Sequence, residues 1–129
     1  MIAGCASDAD LYYATEGRDD QSTDRTDDVI ANTGSIVRVP TNNGLWGTPA
    51  PLLKNIARPF DIIVDDEWVY WTSYTAGTVS KVAKADGTEV SLATGENMPW
   101  YLAQDDVSIY WSNGINSEVG DVGVKRLAK

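Results

Sequence analysis

The chain of 129 residues has no histidine and only one cysteine, Cys5. The missing histidine excludes Ser-His-Asp and Cys-His catalytic sites, histidine-ligated metal ions and a histidine pH switch within this chain. A single cysteine provides neither an internal disulfide nor a Cys-x-x-Cys zinc site. No stretch of 18 or more apolar residues occurs, so the sequence predicts no membrane span.

Positive charge is also scarce. Lys and Arg total 10 against 19 Asp and Glu, which gives a formal net charge of -9 at pH 7. Such a charge repels the phosphate backbone of nucleic acids and anionic lipid headgroups. We therefore expect an acidic domain that has no nucleic-acid partner.

Aromatic side chains are abundant by comparison, with five Trp and six Tyr, and they fall in short segments between turns rich in Gly, Asn and Asp. No segment shows the 3.6-residue period of an amphipathic helix. Many short strands joined by turns of this composition indicate an all-β chain.

Two segments of the chain repeat the same pattern 40 residues apart. Segment 58–72 aligns with segment 98–112, and a weaker copy covers 6–14. Identical residues at matching positions of the two better copies are Pro59 and Pro99, Asp65 and Asp105, Asp66 and Asp106, Tyr70 and Tyr110, and Trp71 and Trp111. After the aromatic pair each copy continues with a turn, a strand that carries a basic residue and, in the first two copies, a Gly turn and a short apolar strand. The pattern predicts a unit of four antiparallel strands, a to d, in about 40 residues.

A basic residue occupies the same position of strand c in all three units: Arg38, Lys81 and Arg126. We expect them to form an exposed row facing the acidic turns, with ion pairs worth roughly 0–1 kcal/mol each. We assign no site to this row.

Four strands at a period near 40 residues, with an aromatic pair in strand b, are typical of a β-propeller blade. The segment 59–72, which ends in Val69-Tyr70-Trp71-Thr72, resembles the YWTD-type blade of lipoprotein-receptor propellers and the bacterial secreted propellers built from Val-Tyr-Trp repeats. Ser73 and Asn113 stand where the family motif ends in an Asp that helps to hold neighbouring blades together. The resemblance implies a scaffold and a bacterial extracytoplasmic (periplasmic or secreted) setting, and it does not by itself imply a chemistry.

The units predict blades at residues 1–57, 58–97 and 98–129, with an acidic insertion at 16–33 in the first blade. The third blade lacks strand d, so the chain provides about 2.7 blades, whereas a closed propeller needs four to eight. An open stack exposes apolar faces and sheet edges that invite association. We expect either a piece of a longer protein or a homo-oligomeric ring, and a six-bladed ring of two chains is the favoured assembly.

The Asp65-Asp66 and Asp105-Asp106 pairs fall between strands a and b. Asp side chains accept backbone N–H bonds in tight turns, and the recurrence of the pairs favours this architectural role. The functional alternative is a ring of carboxylates that binds Ca²⁺ or a cationic partner.

The acidic insertion carries oxygen-bearing side chains at alternate positions, among them Asp20, Asp24 and Asp28. Their spacing is similar to that of an EF-hand calcium loop, although Arg25 stands where that loop needs Gly and Ala31 where it needs Glu. We expect a solvated acidic loop. The three aspartates are candidates for Ca²⁺ binding, and the loop is a candidate contact for a partner.

The aromatic pairs of strand b are expected to pack between blades. Trp46 lies in a turn flanked by Gly and Pro, where a Trp can stack on a sugar ring or anchor a peptide. Trp100 and Tyr101 are further candidates for ligand binding. Cys5 aligns with strand a, which favours a small buried thiol, although the segment 2–5 also resembles the end of a bacterial lipobox.

Three functional hypotheses follow. The first is a non-catalytic binding or interaction scaffold that has no cofactor and whose partners are another copy of itself and a protein or glycan. The second is a lectin-like carbohydrate binder that uses exposed Trp. The third is a metal-dependent propeller hydrolase or lactonase, for which strand a offers Asp61 and Gln104 but no His.

Overall fold

The computed structural model of the protein describes residues 2–6, 9–16, 33–114 and 123–129, and the side chains from residue 9 onward within these ranges. This part of the chain forms twelve strands and contains no helix. The prediction of an all-β chain is therefore confirmed.

The strands form three antiparallel sheets in chain order. The first sheet contains β1 (Ile2–Ala6), β2 (Asp10–Thr15), β3 (Gly34–Asn42), β4 (Leu45–Trp46) and β5 (Ala50–Ile56). The second contains β6 (Pro59–Val64), β7 (Trp68–Ser73), β8 (Thr78–Ala83) and β9 (Glu89–Ala93). The third contains β10 (Pro99–Gln104), β11 (Ser108–Asn113) and β12 (Gly123–Ala128).

The three sheets share one register. In each of them a tyrosine of the second strand lies between a residue of the first strand and a basic residue of the third. These trios are Cys5–Tyr12–Arg38, Ile63–Tyr70–Lys81 and Ala103–Tyr110–Arg126. The pairing therefore defines, for any residue of these strands, its counterpart in the other sheets.

The first sheet departs from the predicted unit at its third strand. β3 continues to Asn42, turns through Asn43 and Gly44, and pairs with the two-residue strand β4. Asn43 and Gly44 have φ angles of 51° and 77°, the pair of left-handed residues that a type I′ hairpin turn requires. Trp46 therefore lies in a short strand, and the prediction that placed it in a turn is wrong because the hairpin extends the sheet.

Hydrophobic clusters fill the spaces between the sheets. Trp71, which is 1% exposed, packs in one cluster with Tyr12 and Ile36 of the first sheet. Trp111, which is 4% exposed, packs in the other with Tyr70 of the second sheet. Because side chains alternate across a strand, β7 directs Trp71 to the first sheet and Tyr70 to the third. The second sheet contributes to both clusters and lies between the other two.

Polar contacts also connect the second sheet to the third. The carboxylate of Asp61 accepts the backbone N–H of Leu102 at 2.7 Å. The hydroxyl of Thr72 donates to the carbonyl oxygen of Trp100 at 2.7 Å. These two bonds fix the first strand of the third sheet against the second sheet.

Glu96 lies in the connection between these two sheets. Its Oε2 accepts the indole N–H of Trp111 at 3.0 Å and the amide N–H of Asn113 at 2.8 Å. Asn113, the last residue of β11, thus bonds to the chain segment that leads into its own sheet. An amide-to-carboxylate contact thus joins the connection to β11.

Candidate functional site

An open groove of about 720 Å³ lies where β6 turns into β7 and where β10 turns into β11. Its walls carry both predicted Asp pairs together with two lysines. These residues are Asp65, Asp66, Asp105, Asp106, Lys81 and Lys129. The structure therefore brings the two Asp pairs together at one end of the second and third sheets.

The first aspartate of each pair holds its turn together. Oδ1 of Asp65 accepts the backbone N–H groups of Glu67 and Trp68 at 3.0 and 2.9 Å. Its Oδ2 accepts the hydroxyl of Tyr70 at 2.8 Å. Asp105 makes the same three contacts, to Val107, Ser108 and Tyr110.

These contacts set the ionisation of both carboxyl groups. Burial alone raises the pKa of Asp65, but the bonds from Tyr70, two backbone amides and Lys129 outweigh it and hold the pKa below its usual range. The Tyr110 hydroxyl and the turn amides hold the pKa of Asp105 below its usual range as well. Burial and then the Asp65 carboxylate raise the pKa of Tyr70, so its hydroxyl stays a protonated donor.

Lysine side chains cross from one sheet to the tyrosine of the sheet before it. Nζ of Lys129, which follows β12, lies 3.2 Å from Oδ2 of Asp65 and 5.8 Å from the ring centroid of Tyr70. Nζ of Lys84, which follows β8, lies 4.8 Å from the ring centroid of Tyr12. Sequence reasoning missed both lysines. The available signal was their equal spacing, since each comes three residues after the basic residue of its strand c.

Two of the basic residues of strand c lie beside aromatic rings of strand b in their own sheets. Lys81 has its Nζ 4.1 Å from the ring centroid of Trp68, and the guanidinium of Arg126 lies 6.0 Å from that of Tyr110. These are cation–π contacts, whereas the sequence predicted ion pairs between these basic residues and the acidic turns.

Asp10 is the partner of Arg38 in the first sheet, and sequence reasoning missed it. Nε of Arg38 donates to Oδ2 of the buried Asp10 at 2.6 Å, and the backbone N–H of Thr41 donates to Oδ1 at 3.0 Å. Burial raises the pKa of Asp10, but the Thr41 amide and Arg38 together bring it below its usual range.

An aromatic cluster lies at the opposite end of the sheets, where β6 and β10 begin. The ring of Trp100 meets Phe60 at a centroid distance of 4.8 Å and Tyr74 at 5.2 Å, both edge to face. Tyr101 lies 5.6 Å from Phe60 and is 64% exposed. Nε1 of Trp100 is buried and has no hydrogen-bond partner. Gly114 gives the indole its room, because a Cβ there would lie 2.5 Å from Nε1.

Trp46 lies apart from this cluster. Trp46 pairs with Thr41, which lies just beyond the pairing of Pro40 with Asp10 at the start of β2. Trp46 is therefore at the end of the first sheet that corresponds to the Asp65 turn of the second sheet. The structure therefore joins Trp100 with Tyr101 and separates Trp46 from both. Asp20, Asp24, Asp28 and the side chain of Cys5 lie outside the described residues.

Within the described ranges, no group of three or more Cys, Asp or Glu side chains is arranged to hold a metal ion. The same part of the chain has no helix that is long and apolar enough to cross a membrane. In comparisons with known proteins, no family model matches the chain, and no curated protein matches it significantly.

Proposed function

We propose that this protein is a non-catalytic interaction scaffold of the β-propeller type, whose three sheets act as blades and which associates with further copies of itself. One observation carries the proposal. The second sheet packs against the third through one of its faces. The counterparts of the residues on that face form the outer face of the third sheet.

The counterparts on these two faces differ sharply in exposure. In the second sheet, Tyr70 and Val79 point toward the third sheet and are 0% exposed. Val79 pairs with Thr72 as Val124 pairs with Ser112, so Val124 is its counterpart in the third sheet. Val124 is 75% exposed, and Tyr101 on the same face is 64% exposed. An aromatic and aliphatic sheet face of this kind supports docking of another sheet.

The first sheet offers the complementary face. Leu11 and Tyr13 of β2 alternate with the buried Tyr12 and therefore point away from the second sheet. Their counterparts in β7 are Val69 and Trp71, which the first sheet buries. Docking the third sheet of one copy on the first sheet of the next would repeat the packing already found twice within the chain. Two copies would contribute six sheets, which suits a six-bladed ring.

The mass in solution tests this proposal, with Val124→Glu and Val107→Glu as matched variants. Val107 is 62% exposed and lies in the turn between β10 and β11, outside the strands whose outer face the proposal uses. We expect light scattering to give twice the 14.0 kDa chain mass for the native chain and for Val107→Glu. Val124→Glu should give the single-chain mass, because it places a charge in an apolar contact. Equal masses for the two variants, or a native chain that stays at 14.0 kDa at all concentrations, would refute self-association.

Carbohydrate binding is the second candidate, and the aromatic cluster favours it. Exposed Tyr101 offers a ring face for stacking, and the rings of Phe60 and Trp100 pack beside it. A glycan array would test this candidate with Tyr101→Ala against Trp46→Ala. Binding that Tyr101→Ala abolishes and Trp46→Ala leaves intact is the expected result, and an array without hits would count against it.

A further inference from the structure

The hairpin formed by β3 and β4 carries two exposed apolar side chains beyond the end of the first sheet. Leu45 is 75% exposed and Trp46 is 64% exposed. The backbone of this hairpin is fixed by its tight turn and by the N–H of Gly47, which donates to the carbonyl oxygen of Pro40 at 2.7 Å. Trp is enriched among the side chains that dominate protein–protein contacts, so a Trp on a fixed, exposed hairpin is a candidate anchor.

The strand pairing places Trp46 on the outer face of the first sheet. Ile36 of β3 packs in the cluster shared with the second sheet. Because side chains alternate along a strand, Thr41 lies on the opposite face, away from the second sheet. Thr41 and Trp46 are directly paired, and paired residues share a face. Trp46 therefore lies on the face that the proposed assembly docks on the third sheet of another copy, and the neighbouring Leu45 lies on the other face.

The end of β3 corresponds to the end of β8, because Pro40 and Ala83 occupy equivalent positions in their sheets. Thr41 is thus the counterpart of Lys84, whose side chain reaches the tyrosine of the preceding sheet. In the third sheet that tyrosine is Tyr110. Packing of the first sheet of one copy on the third sheet of another, in the geometry found within the chain, therefore brings the β3–β4 hairpin to Tyr110.

Beside Tyr110 lies a cation that differs from its counterpart in the second sheet. There, Nζ of Lys81 lies 4.1 Å from the ring centroid of Trp68. The corresponding residues of the third sheet are Arg126 and Ser108, and Nε of Arg126 donates to the Ser108 hydroxyl at 3.0 Å. Arg126 is exposed, and its guanidinium lies 6.0 Å from the ring centroid of Tyr110. A guanidinium plane stacks well on aromatic rings, and Trp is the best of them.

We propose that Trp46 of one copy stacks on the guanidinium of Arg126 of another copy, beside Tyr110. The hairpin then provides between copies the ring that Trp68 provides to Lys81 within the second sheet. The occupant is a second copy of this chain, because the face with Trp46 corresponds to the faces through which the second and third sheets pack on the sheets before them. The contact deepens the self-association proposed above and rests on it. In a closed ring of two copies it occurs twice.

The first test compares Trp46→Leu with Leu45→Ala by light scattering over a range of concentrations. Trp46→Leu keeps an apolar side chain but removes the ring. The loss of an exposed cation–π contact at both interfaces of the ring predicts an association constant about five- to thirtyfold lower than that of the native chain. Leu45→Ala changes the opposite face of the hairpin and should stay within about twofold of the native chain.

The outcomes separate this contact from the scaffold proposal. If the native chain forms a dimer that Val124→Glu abolishes, but Trp46→Leu equals Leu45→Ala, the hairpin contact is refuted and the scaffold proposal stands. A native chain that is a monomer at every concentration refutes both.

The second test mixes Trp46→Leu with Arg126→Gln, each of which should associate weakly alone. A ring with one copy of each variant keeps one intact contact, because Arg126 of the first variant meets Trp46 of the second. We therefore expect the mixture to associate about two- to fivefold more tightly than either variant. Mixing does not repair a folding defect, so the gain is specific to the pairing. A mixture that associates no better than the separate variants would overturn the pairing of Trp46 with Arg126.

Discussion

Replacing Trp71 with alanine tests the packing between the first and second sheets. Trp71 is 1% exposed and lies among side chains of both sheets. Burial of a side chain of this size removes roughly 150–250 Å² from water, which is worth about 4–6 kcal/mol at about 25 cal/mol per Å². Alanine keeps part of that area, and measured aromatic truncations in cores cost about 3–5 kcal/mol. A domain of this size has about 5–15 kcal/mol in total, so the variant should be markedly destabilised.

Trp46→Ala is the matched control, because it removes the same atoms from the surface. Trp46 is 64% exposed, so roughly a third of its area is buried and its truncation should cost about 1–2 kcal/mol. Urea unfolding at one fixed protein concentration measures both variants. The two losses differ by about 1–4 kcal/mol, so with a slope near the middle of the usual range of about 1–3 kcal/mol per M, the midpoint of Trp71→Ala should lie roughly 1 M below that of Trp46→Ala. Equal midpoints would show that Trp71 does not carry the packing between these sheets.

Two further substitutions probe the connection between the second and third sheets. Glu96→Gln should lower the free energy of unfolding by about 1–3 kcal/mol, because the carboxylate loses its charge while it still faces the N–H donors of Trp111 and Asn113. Chemical denaturation measures this loss. Glu89→Gln, at the exposed start of β9, is the control and should be neutral. Gly77→Ala should be more destabilising than Gly95→Ala in the same assay. Both glycines have positive φ, but only a Cβ at Gly77 would meet the Glu96 carbonyl oxygen, at 2.5 Å. Equal losses in the two variants would mean that backbone strain alone accounts for the destabilisation.

The sequence allowed the strand register to be predicted wherever two copies of the unit agree. Tyr70 and Tyr110 align in sequence and occupy equivalent positions in their sheets, and the two basic residues paired with them follow the same rule. The reason is physical: side chains alternate across a strand, so two segments with the same order of apolar residues place the same positions on the same face of their sheets.

The contacts between sheets were not predictable in the same way. Lys84 and Lys129 follow the strands by one residue, and nothing local indicates that their side chains reach the tyrosine of the preceding sheet. Asp10 is a buried acid at the position that Trp68 and Ser108 occupy in the other two sheets. Its role depends on Arg38, which is 28 residues away in sequence. Side-chain pairs of this kind depend on how sheets stack, and periodicity within one strand does not contain that information.

The titration of Asp65 and Tyr70 predicts how stability depends on pH. The folded-state pKa of Asp65 is lowered, so its contribution is fully present above the unfolded-state pKa of about 4 and is lost as the pH falls below it. The folded-state pKa of Tyr70 is raised, so its contribution is present below the unfolded-state pKa of about 10 and is lost as the pH rises above it.

Unfolding free energies measured from about pH 2 to about pH 11 should therefore form a plateau that falls at both ends. Asp65→Asn should flatten the acidic slope, whereas Asp66→Asn, at the exposed neighbouring position, should retain more of it. Tyr70→Phe should flatten the alkaline slope in the same way. The slope is the decisive quantity, since each variant also changes the overall stability by removing a hydrogen bond. An Asp65→Asn variant with the native acidic slope would show that the Asp65–Tyr70 pair does not couple folding to protonation.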